Sequence, residues 1–352
     1  MNRREFSKRA MLTALSVPLL SNNELFSAPK KEKLVSSYYL RAHTYTLVPH
    51  QVREDMKWMA DIGTQAVDVG VLEQDLYAAV ENIEYIVEAA HKEGMKVFAV
   101  PSRWGGMIAG APKVPSVFST LNPQTWILND KGKPITSNIS GVMSSVHYPE
   151  VLEFFCNSLT QIFKNWDISG IIWDEIKVLL KDYSEMAIKN LGVNAKFEQH
   201  VDAVCDFFSK VNTHIKSIGQ DKSVHAFLFA NKTQIEIDRV AQIKNMDYYG
   251  SDGRPWRMED GGSLQDKNKV LLGKNCGERF IEVAKNNNVK SLMLIENHEM
   301  NEADNLLMDK RLPEVFALDV DHYIYYYYPR SLKDPEGNMK IIKKHVKKFL
   351  EK

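Results

Sequence analysis

With 352 residues and 45 Lys and Arg balanced against 45 Asp and Glu, the chain has no basic excess to neutralise phosphates, which argues against broad nucleic-acid binding. The length suits one large α/β barrel or two smaller domains, and it permits a core that needs no covalent staples. No apolar run reaches the roughly 18 residues that a membrane helix needs.

The first stretch reads as an address. Arg3-Arg4-Glu5-Phe6-Ser7-Lys8 resembles a twin-arginine export signal, and a short apolar region from Met11 to Leu20 follows it. Small residues near Ser27 and Ala28 suit cleavage. Residues 1–30 are therefore set apart, with a periplasmic or cell-surface destination expected, and 31–352 are taken as one barrel domain. Cys156 and Cys205 sit among apolar helical neighbours and Cys276 precedes a Gly, with no CxxC pair to suggest a zinc ribbon or redox site.

Strand and helix patterns then alternate. The spacing predicts strands at Ser37–His43, Ala66–Val71 and Met95–Pro101, separated by helices over Pro49–Ile62 and Leu76–Lys92. A long connection follows, from Ser102 to about His147. Its aromatic and apolar residues (Trp104, Phe118, Trp126) argue against disorder, so it is expected to form one wall of a cleft. A helix over Pro149–Trp166 leads to a fourth strand, Ile168–Trp173, which ends in two adjacent carboxylates, Asp174 and Glu175. Neighbours on a strand point to opposite faces, so these two are expected to part.

Helical stretches follow over Asp182–Leu191 and Lys196–Ile218. Further strands are predicted at Ser223–Ala230, Met246–Gly250, Val289–Glu296 and Val320–Tyr328, with a loop at Ser251–Lys274. Helices are predicted over Glu278–Asn287, Glu302–Leu318 and Met339–Leu350. Eight strand–helix units with no second-domain signal predict a single (β/α)₈ barrel with a long loop after strand three. An open doubly wound sheet is the other option, but no GxGxxG follows the first strand to support dinucleotide binding.

In such a barrel chemistry sits at the C-terminal strand ends. Those ends carry Arg41, His43, Asp68, Arg103, Trp104, Trp173, Asp174, Glu175, Asn231, Tyr249 and Asp252 in the first six units. The last two add Glu296, Asn297, His298 and the stretch from Tyr326 to Arg330. Aromatic faces stack on sugars, while carboxylates and amides bind hydroxyls, so the mixture suits a carbohydrate.

Glu175 after strand four and Glu296 after strand seven resemble the (β/α)₈ glycoside hydrolases whose catalytic carboxylates occupy those two places. The resemblance spans about residues 36–352. It implies that Glu175 is the general acid/base and Glu296 the nucleophile. The residue before the acid/base is usually Asn and here is Asp174, which keeps Asp174 open as the working strand-four carboxylate. It calls for no metal or cofactor.

Two other readings stand beside this one. A metal-dependent sugar isomerase or epimerase would need three or four convergent Glu, Asp and His ligands, for which Glu175, His225, Glu296, His298 and Glu299 are the candidates, with His225 early in strand five and expected to point away from the mouth. A non-catalytic carbohydrate-binding barrel would need no chemistry from the carboxylates at all.

Overall fold

The computed structural model describes residues 33–39, 47–78, 80–110, 112–262 and 269–351. The expected export signal, Arg41 and His43 lie outside the described residues.

Eight parallel strands close into a barrel. They are β1 (Leu34–Tyr39), β2 (Ala66–Val71), β3 (Lys96–Pro101), β4 (Gly170–Asp174), β5 (Ser223–Phe229), β6 (Tyr248–Arg257), β7 (Lys290–Ile295) and β8 (His322–Tyr326). Each strand pairs with the next, and β8 returns to β1. Most of their residues are buried, as strands covered on both sides require.

Helices α1 (Pro49–Asp61) and α2 (Val80–Lys92) follow the first two strands. The β3–β4 connection holds the short α3 (Val117–Leu121), a hairpin of Thr136–Ser137 with Gly141–Val142, and α4 (Pro149–Asn165). Then come α5 (Glu185–Leu191), α6 (Phe197–Ile218), α7 (Gln234–Val240), α8 (Arg279–Asn286), α9 (Glu302–Val315) and α10 (Pro335–Leu350).

Two apolar layers result from strand alternation. Outward residues such as Val69, Ile171, Trp173 and Val224 pack with Ile86, Phe155 and Phe208 of the helices. Inward residues Tyr38, Phe98, Ile172, Phe227, Leu294 and Ile324 fill the barrel. Gly170 and Gly250 let neighbouring strands close on each other, because a Cβ there would collide with the carbonyls of Ser223 and Leu292.

Two expectations change. Helix α7 occupies a segment to which the sequence assigned no element, and Thr233 with Glu236 forms its capping box. Strand β6 does not stop at Gly250 but continues to Arg257, because Val270–Leu272 supplies a partner for the extra length. The sequence had placed this length in the loop expected at Ser251–Lys274.

Candidate active site

The C-terminal strand ends open into a cavity of about 680 Å³ whose lining includes Asp174, Glu175, Arg254, Glu296, His298 and Tyr326. The loop after β3 supplies one wall, through Arg103, Gly110, Lys113, Ile139, Ser140 and Met143.

Asp174 closes β4, and the Tyr38 hydroxyl donates to its Oδ2 at 2.9 Å. Glu175 then leaves the strand with φ 42°, a left-handed conformation rare for a residue with a Cβ. Alternation stops at that turn, so Glu175 lines the same cavity as Asp174. This corrects the expectation that the two carboxylates part. The β3 loop holds the turn: the Ala109 N–H donates to the carbonyls of Asp174 and Glu175 at 2.7 and 3.1 Å. Arg103 (φ 62°) and Glu299 (φ 53°) line the cavity in the same unusual backbone region. Such strain gathers where surrounding structure over-determines a site.

The carboxylates have unequal surroundings. Burial alone would raise Glu296, but His298 and Arg254 outweigh it and hold the carboxyl below its ordinary value. Arg254 Nε lies 3.2 Å from one carboxylate oxygen and His298 Nε2 3.6 Å from the other. Burial pushes Asp174 up, against the opposing pull of Arg103 and Tyr38. Burial also pushes Asp252 well up, and the charges of Glu296 and Asp174 add to it. Glu175 is ion-paired with Lys177, whose ammonium is pushed down to about 8 by burial and sits 4.1 Å from the centre of the Phe229 ring.

Carboxylate oxygens of Glu175, Asp252 and Glu296 lie within 4.8 Å of one another. Among the described residues this is the set that could hold a cation, but Lys177 and Arg254 already pair with two of the three. Of the isomerase reading's candidate ligands, Glu175, Glu296, His298 and Glu299 line the cavity, and His225 does not. His225 lies buried inside the barrel, 2.7 Å from the Ser223 hydroxyl and with its ring 5.1 Å from that of His322.

Several expected site residues serve the fold instead. Trp173 precedes an inward residue by one and so points outward, where its Nε1 donates to Asn212 Oδ1 at 2.9 Å. Tyr249 shares that parity relative to Gly250, and its hydroxyl donates to the Ile237 carbonyl at 3.0 Å. Trp104 is buried against Phe154 and Phe155, with its Nε1 donating to the Val71 carbonyl at 3.0 Å. Asp68 is buried in the barrel beneath the cavity, bonded to Ser36, and Ser36 contacts His322 Nε2 at 2.9 Å.

Asn297 does not bind Glu296. Its amide exchanges bonds with the backbone of Tyr326, at 2.9 and 2.8 Å, and donates to Asn338 at 2.9 Å, so it ties β7 to β8 and α10. Asn231 is exposed after β5 and is not part of the cavity lining. Arg103 lines the cavity, but its guanidinium is engaged by Pro112, Ser140 and Gly110 and fastens the loop.

Sequence reasoning passed over Lys177, Arg254 and Glu73, whereas Arg330 falls in the strand-eight end that it singled out. Glu73 is a buried anchor: it accepts from Gly105 N–H at 3.0 Å, Ser116 Oγ at 2.7 Å and Phe118 N–H at 2.7 Å. It lies two residues beyond β2, so the strand-end rule that flagged the other acids reaches it as well.

The fold is the closed (β/α)₈ barrel found in glycoside hydrolases. A β-galactosidase from the psychrophilic Marinomonas ef1 matches 90% of this chain at TM-score 0.65 and 13% identity, and the chain spans 60% of that longer protein. The catalytic domain of a β-amylase from Paenibacillus polymyxa matches 90% of this chain and 98% of its own length at TM-score 0.60 and 8% identity. An endo-β-1,4-mannanase from Thermotoga petrophila matches 91% of this chain and 77% of its own at TM-score 0.57 and 10% identity. No protein-family model and no curated protein sequence matches the chain.

Proposed function

We propose that this chain hydrolyses a glycosidic bond with retention of anomeric configuration. The observation that carries the reading is the approach of the Glu175 and Glu296 carboxylate oxygens to within 4.8 Å. Retaining chemistry needs roughly 5–5.5 Å, so that one carboxyl protonates the leaving oxygen while the other attacks the anomeric carbon. Glu296 is the nucleophile in this reading, kept ionised by Arg254 and His298. Glu175 is the acid/base: it gives a proton to the leaving oxygen, then takes one from the water that frees the sugar from Glu296. Asp174, fixed by Tyr38, accepts from a sugar hydroxyl. The barrel shared with a β-galactosidase, a β-amylase and a mannanase supports the class.

Lys177 constrains the acid role. Its ammonium is ion-paired with Glu175, so in this reading the bound glycoside separates the pair before Glu175 gives its proton to the leaving oxygen. The test is a panel of aryl glycosides with the variants Glu175→Gln and Glu296→Gln. Each should lower turnover by roughly 10²–10⁴-fold, the usual worth of a positioned catalytic carboxyl. Product released first should keep the starting anomeric configuration by NMR. Inverted product, or wild-type turnover in Glu296→Gln, refutes the assignment.

A further inference from the structure

The composition of the cavity wall points beyond neutral sugars. The Trp and Tyr side chains expected to stack on a sugar, Trp104, Trp173 and Tyr249, are buried in the helix layer. Tyr326 and Phe229 are the aromatics that line the cavity. The Phe229 ring carries two ammoniums, Lys177 at 4.1 Å and Lys269 at 3.5 Å from its centre.

Cations dominate the rest. Six Lys and Arg residues line the cavity, Arg103, Lys113, Lys177, Arg254, Lys269 and Arg330, against four carboxylates, Asp174, Glu175, Glu296 and Glu299. The chain as a whole is balanced at 45 against 45, so this excess is local. Burial pushes Asp174 toward its neutral form, which widens the excess.

Two of these cations retain donors for a ligand. Arg330 meets Glu299 through Nε at 3.2 Å, and among the described residues no hydrogen bond engages its two terminal nitrogens. Lys113 is exposed on the β3 loop and makes no ion pair among the described residues. A guanidinium with free terminal nitrogens matches the paired oxygens of a carboxylate or sulfate. A concave site with an excess of one sign of charge also concentrates ligands of the other.

We infer that the carbohydrate bound here carries an acidic group, a uronate carboxylate or a sulfate ester, which Arg330 and Lys113 receive at the mouth of the cavity. The inference deepens the hydrolase reading and rests on it for the sugar. Arg330 and Lys113 are positioning groups in it, and no reacting atom is assigned to them.

The test is calorimetric binding to the full chain at low and high salt, with turnover measured in parallel. The probes are methyl glucuronide, methyl galacturonide and sulfated methyl galactoside, each against its neutral counterpart. An acidic probe should bind at least roughly tenfold more tightly than its neutral partner, as a charge-assisted contact provides. That advantage should shrink with salt and in the double variant Arg330→Met, Lys113→Met, whose fold is checked by circular dichroism.

A preference for the uronides over the sulfated probe names a carboxylate, and the reverse names a sulfate. Equal or tighter binding of neutral probes overturns the inference, as does no binding by either class. Salt-insensitive binding in the wild-type chain overturns it as well, even where the double variant fails to fold. Turnover keeps the two readings separate. Cleavage of neutral glycosides alone sinks the acidic ligand and leaves the hydrolase. Tight acidic binding without cleavage of any probe does the opposite.

Discussion

Asp68 lies fully buried inside the barrel, bonded to Ser36 on the neighbouring strand, and burial raises its carboxyl to about 8. In the unfolded chain it titrates near 4. Between those values the native state therefore holds a proton that the unfolded state has released, and stability falls as pH rises. The contribution is present in full below about pH 4 and is lost as pH climbs through about 8. Each pH unit in that window is worth about 1.4 kcal/mol, so wild type should lose roughly 3 kcal/mol between pH 5 and pH 7 through this one group. Asp68→Asn keeps the shape and removes the titration. The buried histidines, His225 and His322, also titrate on unfolding, but that term is common to both proteins and cancels in the difference. Urea unfolding of both chains at pH 5, 6 and 7 measures the gap. The variant should gain on wild type steadily as pH rises. A gap that does not change with pH refutes the reasoning.

Lys177→Met should remove the cation paired with Glu175. Turnover of the aryl glycosides should then change by roughly tenfold or more, and unchanged turnover contradicts the pairing. Glu73→Ala should strip the acceptor from Gly105, Ser116 and Phe118 together. Unsatisfied buried donors cost about 1–3 kcal/mol each, so unfolding should shift by roughly 3 kcal/mol or more. Limited proteolysis should cut first between residues 102 and 147, and an unchanged cleavage pattern would show that the loop is anchored elsewhere.

The barrel is legible because its strands are buried on both faces and read as short apolar runs between periodic helices. Strand parity was legible too. Trp173 sits one residue before inward Asp174, and Tyr249 one before inward Gly250, so each must face the helices. What parity cannot reach is Glu175, because the alternation ends at its left-handed φ, and that turn is set by Ala109 from a distant loop. Helix α7 was marked by Thr233 and Glu236, a capping pair visible in sequence. The end of β6 was not visible, since Gly253 and Pro255 weaken a strand until Val270–Leu272 provides a partner.

That irregular strand end bears on the chemistry. Had β6 stopped at Gly250, Arg254 would lie in a loop and its guanidinium would have no fixed direction. Instead the backbone N–H of Arg254 donates to the Lys269 carbonyl at 2.8 Å, which sets the residue in the extended strand. Its Nη1 donates to the carbonyls of Glu296 and His298, which locks the side chain to the end of β7. Nη2 lies 3.9 Å from a Glu299 carboxylate oxygen, and Nε faces the Glu296 carboxylate at 3.2 Å. A cation held at three points loses little further entropy when it stabilises a charge. Burial makes ionisation costly for Asp174, Asp252 and Glu296, and it pushes the first two toward the neutral form. Glu296 escapes because the extension of β6 delivers Arg254 to it, with His298 on the other oxygen. The division between proton-holding and ionised carboxyls therefore follows from backbone pairing outside the regular barrel, rather than from the acids themselves.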